Sequence, residues 1–348
     1  MVIGTYLEIG ICDLEFMQDH IPVLLDEVLK YVNPGSNQNF IDATVGLAGH
    51  SFVILAKNGP VGKVLGIEAD AELYAELVAQ KLSRLILVND SYMNLKKIVA
   101  SNEFGPVHGI IADLGMSSWH LDQSGRGFSF LKDEPLDMRY SQGEFKNQNL
   151  SLRNISRRET KTKICPYGTY LEESQNLKFS EVKNNTTAAE IINSWSEESL
   201  SDIFHKYGEE RFSRQIAKKI VVSRKVRPII STFQLVDIVE AATPVWYHRQ
   251  KIHQATRVFQ ALRIAVNDEL ENLKTFLPQA IEVLQEGGRL AVISFHSLED
   301  RIVKNFFREQ KQGDEIKILT KKPITADRDE IKNNPRSRSA KLRVAIKL

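Results

Sequence analysis

The sequence is poor in cysteine, in long apolar runs and in net charge, and each shortage excludes a class of protein. Two cysteines, Cys12 and Cys165, among 348 residues are too few for a disulfide framework or a four-ligand zinc site. No run approaches the roughly 18 consecutive apolar residues that a transmembrane helix needs. The first 17 residues hold no lysine or arginine, unlike the basic start of a secretory signal. We therefore expect a cytoplasmic protein without a membrane partner, and nothing in the sequence has the spacing of metal ligands.

Basic and acidic residues almost balance, with 46 against 44, and the resulting net charge of +2 says little about partners. Their distribution says more. Residues 335–348 carry five basic side chains and no acidic one, and residues 153–163 carry five basic side chains and Glu159. Such clusters can neutralise phosphates, although charge alone favours a solvated surface. Contact with nucleic acid is therefore a hypothesis at this point.

The order of apolar patterns predicts an α/β protein. At about 150 residues per domain the length suggests two domains, and 42% hydrophobic with 26% charged residues is typical of a globular chain. Over the first third, short apolar runs alternate with helical patterns, which indicates a parallel sheet with helices on both faces. The predicted strands lie at 40–41, 64–67, 85–88 and 107–112.

The middle of the chain has helical patterns without strand-like runs. Thr187 and Glu190 have the spacing of a capping box, and apolar spacings of three and four continue to Pro244. The α/β pattern then resumes with one long amphipathic helix over 259–277 and later strands. We predict an N-terminal extension, a first α/β part, an inserted helical domain with a polar excursion at 142–185, and a second α/β part, at residues 1–19, 20–125, 126–250 and 251–348.

Glycines and a carboxylate point to a cofactor near the first two strands. The first strand leads into a turn with Gly46 and Gly49, and Glu68 ends the second strand 22 residues after Gly46. In doubly wound folds a carboxylate at this position holds a ribose diol. The strict glycine fingerprint for dinucleotides is missing, so S-adenosylmethionine, which has no phosphates, fits better than NAD. An ordinary tight turn explains the segment equally well when it is taken alone.

Three further residues are candidates for catalysis. Asp113 follows the strand 107–112, at the edge where open α/β sheets bind ligands. His296 directly follows a strong apolar run at 290–295, and Asp137 lies where the inserted domain begins. Capping or packing would explain each of them as well.

Eight segments, taken in the same order, carry a resemblance to one family; they begin at His20, Asp113, Arg126, Pro135, Tyr207, Ala255, Ser294 and Pro335. Together they resemble the MraW/RsmH methyltransferases. These bacterial enzymes modify the exocyclic N4 amine of a cytidine in 16S ribosomal RNA, in the decoding region of the small subunit. The resemblance runs from about residue 20 to the C-terminus, apart from 142–185.

The resemblance implies a class I (Rossmann-like) S-adenosylmethionine-dependent methyltransferase sheet with an inserted all-helical domain. Its implied partner is 16S ribosomal RNA in the small subunit, and we also consider a homodimer. Asp113 is the first candidate for the catalytic acceptor, with Asp137 and His296 behind it. Trp119, Phe128 and Phe130 are candidate stacking surfaces for a base, although each could equally be core. The implied cofactor contacts are Ala48, Gly49, His50, Glu68, Tyr92, Asp113 and His120.

Several of these positions depart from the family pattern. Ala48 stands for a glycine, Glu68 for an aspartate, Tyr92 for a phenylalanine and His120 for a glutamine. A Cβ at positive φ costs on the order of 1 kcal/mol, or about fivefold to tenfold in affinity. A ribosome-assembly factor with a weakened cofactor pocket is therefore the alternative to an enzyme, and an NAD-linked oxidoreductase is a remote third.

Overall fold

The computed structural model describes residues 21–141 and 186–348. The predicted N-terminal extension, the polar excursion, the basic stretch 153–163 and both cysteines therefore lie outside the described residues. No helix in the described ranges is long and apolar enough to cross a membrane.

Seven strands form a single sheet in the order β3-β2-β1-β4-β5-β7-β6. The five strands from β3 to β5 are parallel, and β7 runs antiparallel to both β5 and β6. The strand order reverses between β1 and β4, which is where doubly wound folds bind their ligands. The predicted α/β class is confirmed. The strands are β1 (Asn39–Asp42), β2 (Val64–Glu68), β3 (Leu85–Asn89), β4 (Val107–Asp113), β5 (Leu284–Ser294), β6 (Ile316–Ile318) and β7 (Lys341–Lys347).

Fourteen α-helices accompany the sheet in the described ranges. They are α1 (Leu25–Val32), α2 (Gly49–Lys57), α3 (Ala71–Ala79), α4 (Leu95–Ser101), α5 (Ser118–Asp122), α6 (Ala188–Ser194), α7 (Glu197–Lys206), α8 (Ser213–Arg224), α9 (Thr232–Ala242), α10 (Val245–His248), α11 (Thr256–Asn267), α12 (Glu269–Val283), α13 (Ser297–Gln312) and α14 (Arg328–Asn333). On one face of the sheet, α4, α12 and α13 bury Leu95, Phe276 and Phe307. On the other face, α1 and α2 bury Val28 and Ile54.

The helices α6 to α9 build a second apolar core beside the sheet. Thr187 caps α6 through the predicted capping box, because its hydroxyl accepts the Glu190 amide hydrogen and the Glu190 carboxylate accepts that of Thr187. Phe259 and Leu262 of α11 also pack in this core. The division of the chain at residue 250 stays a prediction, and the packing of α11 favours a later boundary.

The prediction of a single long helix over 259–277 is wrong, because the structure has two helices there. Asp268 adopts the left-handed conformation, with φ of 51°, and separates α11 from α12. The apolar spacing continues across this break, so the pattern alone does not show it. The break places Glu269 against Arg263, with 2.8 Å between Oε1 and Nε.

Candidate active site

The carboxyl ends of four parallel strands gather polar side chains at one edge of the sheet. Asp42 ends β1, Glu68 ends β2, Asp113 ends β4 and Ser294 ends β5. Asp113 pairs in register with Ile293, so Ser294 lies one residue further along the neighbouring strand. The polar residues stand at the ends of apolar strands, next to the point between β1 and β4 where the strand order reverses. In doubly wound folds a crevice opens at this point.

The loop after β1 turns by means of two left-handed residues. Gly46 has φ of 51°, and Ala48 has φ of 61° directly before α2. The Ala48 side chain is fully buried among Val45 and Leu77, so a ligand at this loop would meet backbone amides. Packing requires a glycine at position 49, because an added Cβ would lie 2.5 Å from Pro22 Cγ.

Glu68 fastens this loop to the end of β2. Its Oε2 accepts the Gly46 amide hydrogen at 3.1 Å, and its Oε1 accepts that of Asp70 at 2.8 Å. Burial raises the pKa of the Glu68 carboxyl to about 7, even though these two hydrogen bonds favour the ionised form. Each carboxylate oxygen keeps a second lone pair, which suits the hydroxyl donors of a ribose.

Asp113 has an oxygen without a partner inside the protein. Its backbone N–H donates to Thr44 Oγ1 at 2.7 Å, but its buried Oδ1 has no hydrogen bond. Burial, together with the nearby charges of Asp42 and Glu299, raises the pKa of Asp113 well above its ordinary value. Helix α5 is capped by Ser117 instead, so Asp113 is not the cap of the helix that follows it.

His50 lies behind Asp113. Its Nε2–H donates to the Val23 carbonyl at 3.1 Å, and its Nδ1 is 3.9 Å from Asp113 Oδ2. Burial lowers the pKa of His50 to about 4, so the imidazole is neutral at pH 7. The Nδ1 lone pair therefore faces Oδ2 and leaves Oδ1 directed elsewhere.

His120 belongs to a buried network that joins the sheet to the helical core. Its Nε2 is 3.1 Å from Asp70 Oδ2 and its Nδ1 is 2.9 Å from Ser117 Oγ. Arg126 also donates to Asp70 Oδ2, at 2.7 Å. Burial alone would raise the pKa of Asp70, but the hydrogen bonds from His120 and Arg126 hold it below its ordinary value. Contact between His120 and a cofactor stays a prediction.

The remaining predicted residues differ in their surroundings. Tyr92 follows β3 and meets Phe276 edge to face, with 5.3 Å between ring centroids. The Asp137 carboxylate is held at both oxygens by Arg139, at 2.6 and 2.7 Å. That ion pair satisfies Asp137 within the chain, so it is a weaker acceptor for a substrate than Asp113.

His296 caps helix α13. Its Nδ1 accepts the Glu299 amide hydrogen at 3.3 Å, and Glu299 Oε2 accepts that of Phe295 at 2.8 Å. The other ring nitrogen, Nε2, lies 3.1 Å from Glu299 Oε1 but is aligned too poorly for a hydrogen bond. Because Nδ1 accepts, the hydrogen of the neutral ring lies on Nε2, beside the Glu299 carboxylate.

Unsatisfied atoms cluster at this edge. Within residues 21–141 and 186–348, four buried side-chain atoms lack a hydrogen bond, and three of them are Asp113 Oδ1, Ser294 Oγ and His296 Nε2. Buried polar atoms are rarely left unpaired, so a bound molecule is the natural partner for them. Sequence reasoning missed Ser294, although it begins one of the segments that carry the resemblance.

Sequence reasoning also missed a group of charged side chains next to the carboxyl ends of β4 and β5. Glu269 Oε1 accepts from the Tyr140 hydroxyl at 3.1 Å, and both Glu269 oxygens pair with Arg263. Glu269, His296 and Glu299 have ligand atoms within 4.8 Å of one another. Because Arg263 already neutralises Glu269, and Glu299 is engaged with the backbone N–H groups of Phe295 and His296, this group is better explained as a hydrogen-bonded framework than as a cation site.

Two of the candidate stacking residues are core residues. Trp119 and Phe128 are 5% and 4% exposed, which leaves no face for a base. Phe128 stacks on Tyr140 with centroids 5.3 Å apart, and Phe130 stacks on His253 at 4.6 Å.

The basic C-terminal segment is largely paired within the chain. Arg343 is buried against Asp300, with 2.6 Å between Nε and Oδ1, and Lys347 donates to the Leu284 carbonyl at 2.6 Å. Arg336 pairs with Asp122 at 2.7 Å. These contacts weaken the hypothesis that residues 335–348 bind RNA through free charges, because most of the charges stabilise β7 and its neighbours.

A seven-strand doubly wound sheet, a carboxylate at the end of β2 and a first loop without a phosphate cradle define an S-adenosylmethionine-dependent methyltransferase. The particular family follows from comparison with known proteins. The model of the MraW methylase family matches residues 17–175 and 173–348. The chain belongs to the MraW methylase family.

Relatives of similar length support this assignment. Ribosomal RNA small subunit methyltransferase H of Heliobacterium mobile is 40% identical over 348 residues, covering 94% of this chain and 99% of that protein. The protein of the same name from Thermosipho melanesiensis is 42% identical over 339 residues, covering 96% and 99%. An rRNA methylase structure from Streptococcus thermophilus aligns over 93% of both chains with 10% identity and a TM-score of 0.34, too distant a likeness to add to the assignment.

Proposed function

We propose that this protein transfers a methyl group from S-adenosylmethionine to the N4 amine of a cytidine in 16S ribosomal RNA, in the decoding region of the small subunit. Membership of the family and the names of its relatives support a small-subunit substrate. The observation that carries the proposal is the set of unpaired buried atoms at the ends of β4 and β5. The reaction would take place in the cytoplasm, where small subunits are assembled, and a homodimer stays a prediction.

The residues at the edge of the sheet fit the cofactor. Glu68 would hold the ribose, and the loop from Gly46 to His50 would line the chain that bears the sulfur. Tyr92 would lie beside the adenine. When bound, the cofactor supplies a methyl group on a positively charged sulfur, which an amine can displace in line. No phosphate has to be bound, which agrees with a loop that lacks the dinucleotide fingerprint.

The amine of cytosine is a poor nucleophile, since its lone pair is delocalised into the ring. Asp113 Oδ1 is free to accept a hydrogen from this amine and so to orient it. A proton on Asp113 would reside on Oδ2, which faces the Nδ1 lone pair of neutral His50. Once ionised, a carboxyl with a raised pKa is also a suitable acceptor for the proton that the amine loses. His296 and Asp137 are weaker candidates, because His296 Nδ1 already accepts from the Glu299 amide and Arg139 already holds the Asp137 carboxylate.

Ala48 favours an alternative, a ribosome-assembly factor with a weakened cofactor pocket. Its φ of 61° carries the expected cost of on the order of 1 kcal/mol. A cost of this size lowers affinity without abolishing it, so the enzyme remains the better proposal.

Transfer of a labelled methyl group to isolated ribosomal subunits separates the two functions. We expect label in small subunits that lack the modification and none in large subunits. The Asp113→Asn variant should bind small subunits but transfer at a rate lower by about 10² or more. A parent protein that binds both small subunits and cofactor and still transfers nothing would establish the assembly factor.

A further inference from the structure

An exposed aromatic ring on the helical core has no role in the chemistry described so far. Trp246 on α10 is 50% exposed, whereas the other two tryptophans, Trp119 and Trp195, are 5% and 3% exposed. The Arg211 guanidinium lies over the Trp246 ring, 5.0 Å from its centroid, and 5.1 Å from that of Phe212. A large apolar side chain at the surface beside a cation is a common feature of binding sites.

The neighbouring residues hold Trp246 outward. Tyr247 is buried, and its hydroxyl donates to Oε2 of the fully buried Glu210 at 2.6 Å. The Phe212 ring contacts Tyr247 at 4.9 Å and Trp246 at 5.9 Å between centroids. Since Tyr247 is fixed inward, the adjacent Trp246 is fixed toward solvent. The exposed indole is therefore held by a short helix that the buried Tyr247 anchors to the protein core.

Further cations lie close to Trp246 or Arg211 along the chain. Arg214 lies three residues after Arg211, and Arg249 lies three residues after Trp246, with Lys251 beyond it. All three are exposed, and in the described part of the chain none of them forms an ion pair. We call Trp246 with these four cations, Arg211, Arg214, Arg249 and Lys251, the Trp246 ledge.

We propose that the Trp246 ledge binds single-stranded ribosomal RNA, with an unpaired base stacked on Trp246 and the cations on adjacent phosphates. This inference rests on the proposed function, because it assigns the surface that receives its substrate. An exposed ring with a guanidinium over it, and with unpaired cations a few residues away along the chain, suits a ligand that offers both flat bases and negative charge. An apolar protein partner would have to desolvate the same cations without compensation.

Intrinsic fluorescence tests the contact directly. A short oligocytidylate of about 12 nucleotides, labelled for anisotropy, serves as the probe, and isolated small subunits serve as the second ligand. Because Trp246 is the exposed indole, we expect saturating oligocytidylate to quench its emission. In Trp246→Phe the quenching should disappear while most of the affinity remains, since a phenyl ring still stacks. Full binding by anisotropy without quenching in the parent would overturn the proposal.

Variants then separate stacking from charge. We expect Trp246→Ala to weaken oligocytidylate binding by about 5- to 100-fold, and Arg211→Ala to lower the salt dependence by about one phosphate contact. Lys304→Ala removes an exposed cation on α13 and should leave both quantities unchanged. Cofactor affinity should be the same in all of these variants, which shows that they remain folded.

Other outcomes contradict the assignment in distinct ways. If Trp246→Ala binds small subunits less tightly but oligocytidylate as before, the ledge binds a ribosomal protein. If it changes the sedimentation of the free protein, the ledge is a contact between copies of this chain. A parent that methylates cytidine while Trp246→Ala retains the same RNA affinity and the same KM for subunits would refute the ledge and leave the proposed function intact. A parent that methylates no cytidine would refute the proposed function, whatever the ledge binds.

Discussion

The raised pKa of Glu68 predicts that cofactor binding depends on pH. A ribose diol donates hydrogen bonds, so it requires the ionised carboxylate. Burial places the pKa of this carboxyl at about 7 in the cofactor-free protein, compared with an ordinary value of 4.5. About a tenth of the protein is then ionised at pH 6, and the apparent dissociation constant should be about tenfold higher than at pH 8. The same shift lowers the unfolding free energy as pH rises from 4.5 to 7, because the unfolded chain has already lost this proton.

Calorimetry from pH 5.5 to 8.5 measures the effect, and Glu68→Gln mimics the protonated state. The glutamine side chain cannot ionise. It also has only one accepting oxygen, where the carboxylate has two. We expect this variant to bind about 10- to 100-fold more weakly at pH 8 and to show no comparable dependence on pH. Glu286→Gln, an exposed position at the opposite end of β5, is the matched control and should behave as the parent. Parent affinity that stays constant over this range, or Glu68→Gln with parent affinity at pH 8, would refute the assignment.

Other predictions concern the neighbouring residues. Asp113→Asn should lower methyl transfer by about 10² or more while the melting temperature stays the same or rises, because a neutral amide replaces a carboxyl that burial disfavours as an ion; near-normal transfer with lost stability would make Asp113 structural. Ala48→Gly relieves the left-handed strain but loses a buried methyl group, so we expect up to about fivefold tighter cofactor binding with unfolding free energy within about 1 kcal/mol of the parent; unchanged affinity would show that Ala48 does not weaken the pocket. Arg126→Met removes the guanidinium from the buried Asp70, which keeps His120 and two α3 amides as partners, and should lower the unfolding free energy by up to about 3–5 kcal/mol in urea, with partial recovery in the double variant that also carries Asp70→Asn; an additive loss would contradict this pairing.

Parallel strands were the easiest elements to predict from the sequence. The runs at 64–67, 85–88 and 107–112 became β2, β3 and β4, each extended by one polar residue at its carboxyl end. Apolar side chains on both faces produce a continuous run, and the polar residue marks where the strand leaves the core. Those same polar residues include Glu68 and Asp113, so strand ends and candidate site residues were found together.

Contacts between distant segments were the hardest to predict. Arg126 and Asp70 form a buried ion pair across 56 residues, and no local period or spacing encodes it. Trp119 and Phe128 are aromatic, and only packing decides that they are core instead of a stacking surface. Trp246 shows the opposite case, since the buried hydrogen bond of its neighbour Tyr247 is what turns it outward.

Analysis of the product nucleoside tests the central claim most directly. Small subunits that lack the modification would be incubated with the protein and S-adenosylmethionine labelled on the methyl group, and the 16S ribosomal RNA would be digested to nucleosides. We predict that the label appears in N4-methylcytidine, and that Asp113→Asn and Glu68→Gln yield far less of it. Label in 5-methylcytidine, in a methylated ribose or in another base would contradict transfer to the cytosine amine.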